Sequence, residues 1–501
     1  MLALGALANS QVFRSLIEFQ LAAAEPSGRG GVARSYEVGV IQKTPLANLS
    51  TSDVATFARL ARRAWSLRRM LDTVNETSHA FILPSGLNEK VAGLNPDAIV
   101  RELETLQREI DQAGFSLYGI RPEDPASLVS TGDAPAEREE SSPDEDNDDG
   151  DDLGDDDVSG VSSGAGVETL GSWLVGAAFA RFDPRLATGE RPVPLEPEPF
   201  QALPLRSPGM YPEGEEPAER PDILVDDQGH AADLAARTRA VAERVRVEAP
   251  ENLRGWLARE FFPLHIRMYS KSRRKAPIYW QLATPSASYS VWLYIHAFSK
   301  DTLFRVQNDY AAPKLAHEER RLESLMSELR DGATAAQRKV LAAQETFVDE
   351  LRAFLDEVKR VAPLWKPTLD DGVIINFAPL WRLVPQNKPW QKALKSTWNA
   401  LCEGKYDWAH LAMHLWPERV VPRCASDRSL AIAHGLEDVF WAEDSNGKWT
   451  ARKTPMRSIN ELVRERSSPG VKAALASILQ TEVGRLAKKA GSRRRPLDAE
   501  A

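Results

Sequence analysis

Cysteine is nearly absent: Cys402 and Cys424 are the only two in 501 residues. That excludes a disulfide scaffold and fits a reducing compartment, so a cytoplasmic protein is expected. Long apolar runs are missing too. Residues 1–13 are apolar but soon meet Arg14 and Glu18, and they lack the basic stretch that opens a secretory signal. No other segment approaches the ~18 apolar residues of a bilayer span, so no membrane partner is expected. Tryptophan is scarce early in the chain. Only Trp65 and Trp173 of thirteen precede residue 250, which places the largest core in the second half.

Charge is present in abundance and unevenly spread. Residues 133–157 hold fourteen acids against one base, Arg138, so the window carries −13 and the other 476 residues +4. The net charge of −9 therefore describes one segment rather than a binding surface. From about 123 to 167 the chain is Asp, Glu, Gly, Ser and Pro, too polar to offset its ordering entropy, and a disordered acidic linker is expected. A second reading has this run occupying the chain's own basic surface in place of nucleic acid.

Elsewhere the periodicity is helical. Residues 2–22 read as one buried helix. Residues 53–71 place Phe57, Leu60, Ala64, Leu67 and Leu71 on one face and Arg59, Arg62, Arg63 and Arg69 on the other. A helix over about 97–113 starts after Asn95-Pro96. A short strand is expected at 36–41 and a helical element around 170–182. Ten prolines within 184–222 exclude a regular helix or central strand there. Helices over about 314–330 and 334–361, separated by Asp331-Gly332-Ala333 and restarted by Thr334-x-x-Gln337, predict an antiparallel hairpin. The expected class is mainly α with minor β, in several domains.

Motifs for chemistry are few. His410 and His414 with Cys402 and Cys424 offer metal-ligand types, but no close Cys-x-x-Cys pair is present and position 411 is Leu rather than Glu. Packed histidines are the preferred reading, and no metal or catalytic residue is assigned. Gly28-Arg-Gly-Gly31 and Gly164-Ala-Gly166 are read as loops, because neither follows a strand and opens a helix. What stands out is basic charge among aromatics. Arg254, Arg259, Arg267, Lys271, Arg273, Arg274 and Lys275 face a single acid, Glu260, close to Trp256, Tyr269, Tyr279 and Trp280. Such a segment suits phosphate neutralisation, with Arg267, Lys271, Arg273, Arg274 and Lys275 on a loop or helix end as the main contacts to double-stranded DNA. Arg59, Arg62 and Arg63 are secondary candidates, and residues 481–501 form a basic tail. Tyr279 and Trp280 are expected to begin a core strand.

Several long strings carry a resemblance. Lys275-Ala-Pro-Ile-Tyr-Trp280, Ser290-Val-Trp-Leu-Tyr294, Asn308-Asp-Tyr310 and Tyr406-Asp-Trp-Ala-His-Leu-Ala-Met-His-Leu-Trp-Pro-Glu-Arg419 resemble the C-terminal region of BREX-type (PglX-like) adenine-specific DNA methyltransferases. These are phage-defence enzymes related to type IIG restriction-modification proteins. The resemblance implies S-adenosylmethionine as the cofactor of the full-length family. It also implies an S-adenosylmethionine-binding loop and an Asn-Pro-Pro-Tyr catalytic tetrapeptide in an upstream domain, yet this sequence contains no Pro-Pro pair. The expectation is a C-terminal portion without cofactor or catalytic residues of its own, engaging DNA for a catalytic methyltransferase chain or another defence protein. The alternatives are a helical interaction scaffold and a part of the active enzyme itself. On this view residues 1–50 close a target-recognition domain and 51–122 are helical. After the 123–167 linker, residues 168–250 are a short helix and Pro-rich connector, and 251–480 are the Trp-rich domain with its hairpin at 314–361.

Overall fold

The computed structural model describes residues 1–24, 42–92, 95–120, 163–218, 220–271, 274–329 and 334–492. The expected strand at 36–41, the acidic run, the hairpin stop at 331–333 and Arg493 to Arg495 lie outside them. Within the described residues the protein is mostly helical with small antiparallel sheets, as its periodicity predicts. No described helix is long and apolar enough to cross a membrane. Two compact units emerge, one from residues 1–173 with 183–215, the other from 174–182 with 216–501.

In the first unit, α1 (Leu2–Ala8), α2 (Gln11–Ala24), α3 (Thr51–Asp72) and α4 (Pro96–Leu117) enclose a core of Ala6, Leu7, Phe57, Leu60, Leu67, Leu106 and Ile110. The single helix expected over 2–22 is broken at Asn9-Ser10. The buried Ser10 hydroxyl donates to Leu7 O at 2.6 Å and accepts from Phe13 N, while Asn9 Nδ2 donates to Gly5 O. Both side chains compete for backbone groups that a continuous helix would use. Helix α3 starts with a reciprocal Ser50/Asp53 capping box, and α4 with Asn95 as cap before Pro96. Between 184 and 215 the helical structure is one turn, Arg185–Thr188. The buried Asp183 carboxylate holds this segment through Arg185 at 2.8 Å and Arg191 at 3.0 Å.

Helix α5 (Ser163–Ala178) contains Gly164 and Gly166, which corrects the loop expected there. It ends on Ala180 in the left-handed region, with Arg181 N donating back to Gly176 O at 2.9 Å. Gly176 is required at this stop, because a Cβ would sit 2.4 Å from the Phe182 ring.

The second unit is built around a three-stranded antiparallel sheet in the order β1 (Ile223–Val225), β5 (Ser290–Tyr294), β4 (Tyr279–Ala283). Every residue of these strands is buried, so the sheet is covered on both faces. Trp280 pairs with Leu293 and stacks on Phe377 at 3.9 Å, placing it in the core as expected. Helices α6 (Leu234–Val245) and a composite α7 over 253–268 flank the sheet. The predicted hairpin is α8 (Ala312–Glu328) with α9 (Ala335–Val361), the latter opened by the Thr334/Gln337 capping box. Lys314 lies against Phe347 and Glu318 against Gln344, so the contacts run in opposite chain directions. Helix α10 (Lys388–Cys402) inserts Trp390, Leu394, Trp398 and Leu401 into the same core.

Candidate nucleic-acid interface

The basic segment begins on α7, whose three pieces are helical at Leu253–Trp256, π-helical at Leu257–Phe261 and helical again at Phe262–Met268. The π turn lets Leu257, Phe261, Phe262, Leu264 and His265 all reach the core. Arg254, the first of the seven bases, turns inward. It pairs with Asp226 and with Asp233, at 2.6 Å to the latter, and is an internal counter-ion rather than a surface charge. Arg259 and Arg267 are exposed.

His265 fixes α7 to the sheet. Its Nε2 accepts from Ile278 N at 2.9 Å and Tyr279 N at 3.2 Å, so the proton resides on Nδ1 and the ring is neutral. Burial, with Arg181 nearby, pushes its pKa well below the ordinary value. A depressed histidine pKa leaves stability whole above the unfolded pKa of about 6.5 and erodes it as pH falls below that value. His265→Ala should cost about 2–4 kcal/mol, since two buried N–H groups lose their acceptor. Urea denaturation at neutral pH measures that loss. His265→Gln, which still offers an acceptor, should lose less stability than wild type between pH 7 and pH 5.

After α7 the chain forms a two-stranded ribbon, β2 (Ser270–Lys271) and β3 (Arg274–Lys275), with Ser270 opposite Lys275 and Lys271 opposite Arg274. Ala276 N donates to Tyr269 O and Ser270 Oγ approaches Ile266 O, so the ribbon's base is tied to the helix end. Arg273 lies outside the described residues, and of Lys271 and Arg274 the backbone alone is described. Lys275 is exposed, with Nζ 6.0 Å from the Trp390 ring centroid. The ribbon thus brings Lys271, Arg274 and Lys275 together a few residues from Arg267. The rigid base comes from α7 on one side and β4 on the other.

Arg59, Arg62 and Arg63 lie on α3 in the other compact unit. Arg62 pairs with Glu198, and Arg63 is bidentate to Glu102 at 2.6 and 2.9 Å, while Arg59 is exposed. Exposed pairs of this kind contribute about 0–1 kcal/mol.

Cys424 is packed in the core, whereas His410, expected to be packed, is exposed. Cys424 is buried, with Sγ 3.4 Å from Val420 O, and burial pushes its thiol up to about 11. His410 Nδ1 meets the buried Asp371 carboxylate at 2.8 Å, and the same carboxylate accepts from His410 N and Leu411 N. No metal-binding group of three or more such residues occurs among the described residues. Of the two glycine clusters, Gly28 to Gly31 lies outside the described residues. Gly164 and Gly166 are inside α5, and every ladder between described strands is antiparallel, unlike the parallel strand–loop–helix unit that cradles such a group.

Over 154 residues the chain is 25% identical to the adenine-specific methyltransferase BrxX of Escherichia coli O9:H4 (strain HS). This supports a relation to BREX methyltransferases. The match covers 30% of this chain and 12% of that protein's length. No protein-family model matches the chain.

One basic feature escaped the sequence reading. Helix α10 carries Lys388, Lys392 and Lys395 at i, i+4 and i+7, all exposed, with no acid from Lys388 to Cys402. The spacing is legible in the sequence, interleaved with tryptophans that face the core.

Proposed function

We propose that this chain is the DNA-engaging portion of a phage-defence adenine-N6 methyltransferase system, positioning duplex DNA for catalytic machinery carried by a partner chain. One observation carries the reading: the ribbon's Lys275 and the helix-end Arg267 are exposed, form no ion pair among the described residues, and sit on a rigid base. Such cations neutralise phosphates and set register on the duplex without reading sequence. The similarity to an adenine-specific methyltransferase supplies the system, and S-adenosylmethionine belongs to the partner in this reading. No transfer step is assigned to this chain.

The test is fluorescence anisotropy of the full chain with a labelled duplex of about 30 base pairs, a length chosen to exceed the footprint of a single module. Binding at about 50 mM salt that weakens as salt rises is the expected result. Absence of binding at that salt, with a fully folded protein, overturns the proposal. A scaffold role for the α8–α9 hairpin is the second reading, favoured by the exposed Met326 and Val340 on its two helices.

A further inference from the structure

The proposed DNA engagement would be a single-point contact if the ribbon acted alone. Helix α10 offers more, and the reason lies in what its lysines lack. Several bases on or beside other helices of this chain are answered locally. Arg352 pairs with Asp349 and Glu319, Arg360 with Glu357, and Arg457 with Glu461 and Glu465. Lys388, Lys392 and Lys395 have no ion pair among the described residues, and no acid lies within their own helix.

This arrangement works against the helix. Like charges four residues apart repel. Lys388 is the first residue after the Asn387 cap, where the helix dipole disfavours a cation. Lys388 Nζ donates to the neutral Gln391 Oε1 at 3.5 Å and Lys395 lies over the Trp381 ring, but no carboxylate among the described residues answers the row, the pattern of a charge kept for something outside the fold. The row is also rigid. Trp390, Leu394, Trp398 and Leu401 lock the opposite face into the core, and Lys395 lies 4.9 Å from the half-buried Trp381 ring. At 1.5 Å per residue the three cations rise about 10 Å along the axis, on the scale of successive phosphates on one strand.

We propose that the solvent face of α10 is a second phosphate track for duplex DNA, with Lys388, Lys392 and Lys395 as its contacts. The inference rests on the proposed function and extends it from one contact to a surface. The ligand is the phosphodiester backbone, so the track adds affinity without sequence preference.

The experiment is a salt titration of duplex binding by the full chain. It compares wild type, the triple variant Lys388→Gln, Lys392→Gln, Lys395→Gln, the corresponding triple Arg variant, and a ribbon variant with Lys271, Arg273, Arg274 and Lys275 changed to Glu. The Gln variant should lower the log–log salt slope by about 2.7, at about 0.9 per contact. The Arg variant should restore it, and the thermal midpoint of the Gln variant should not fall. An unchanged slope in the Gln variant beside a weakened ribbon variant overturns the track and leaves the proposed function standing. Absence of duplex binding by wild type overturns both.

Discussion

Arg254→Met should destabilise the second unit by about 3–5 kcal/mol at neutral pH, the cost of leaving buried carboxylates without their cation. The Asp226 and Asp233 side chains are 8% and 3% exposed, and both lean on the same guanidinium. Burial already pushes the Asp226 carboxyl above its ordinary range against the pull of Arg254, and the neighbouring Asp233 and Asp227 charges add to the rise. Removing Arg254 raises it further. An acid whose folded pKa is raised favours the fold at low pH and costs stability as pH climbs past its unfolded value, near 4. The deficit of Arg254→Met against wild type should therefore be largest at pH 7 and shrink toward pH 5. Urea denaturation at both values reads it directly. The same variant, assayed where it is folded, should keep the wild-type salt slope for DNA. A lowered slope would return Arg254 to the binding surface.

Charge reversal of Lys271, Arg273, Arg274 and Lys275 should have the largest effect on binding. Four phosphate contacts replaced by repulsive carboxylates remove a slope of about 3.6 and weaken binding more than tenfold at physiological salt. The loss should be the same for duplexes of different sequence, since backbone contacts carry no base information. Stability should change little at the exposed Lys275, and thermal denaturation of the variant checks that the chain stays folded. Competition binding with two or three unrelated duplexes checks the uniformity. A loss confined to one sequence would place these residues at base edges instead.

Much of this architecture was legible where the physics is local. The capping pair Thr334/Gln337, the Asn95-Pro96 start and the apolar stripes of α3, α4 and α9 depend on residues within a turn of each other, and they appear as the sequence predicts. Tyr279 and Trp280 could be placed in a core strand because aromatics after Pro277-Ile278 have few other uses. The failures come from distance. Arg254 stands in a basic run, and its partners Asp226 and Asp233 are 28 and 21 residues away, so nothing nearby marks it as internal. The break at Ser10 hinges on one hydroxyl choosing backbone over solvent. The ribbon's paired strands are two residues each, too short for any periodicity to show. The lysine row on α10 has a clear spacing, and its meaning depends on the lack of an ion pair to it among the described residues, which sequence order does not reveal.

The central claim is that the ribbon lies against the DNA backbone, and lysine acetylation footprinting tests it most directly. The full chain is treated with an acetylating reagent, with and without saturating duplex, and modification at each lysine is quantified by mass spectrometry. Lys271 and Lys275 should be protected by the duplex, while Lys339 on α9 should react at the same rate in both samples. Equal modification of Lys271 and Lys275 with and without bound duplex would contradict the account.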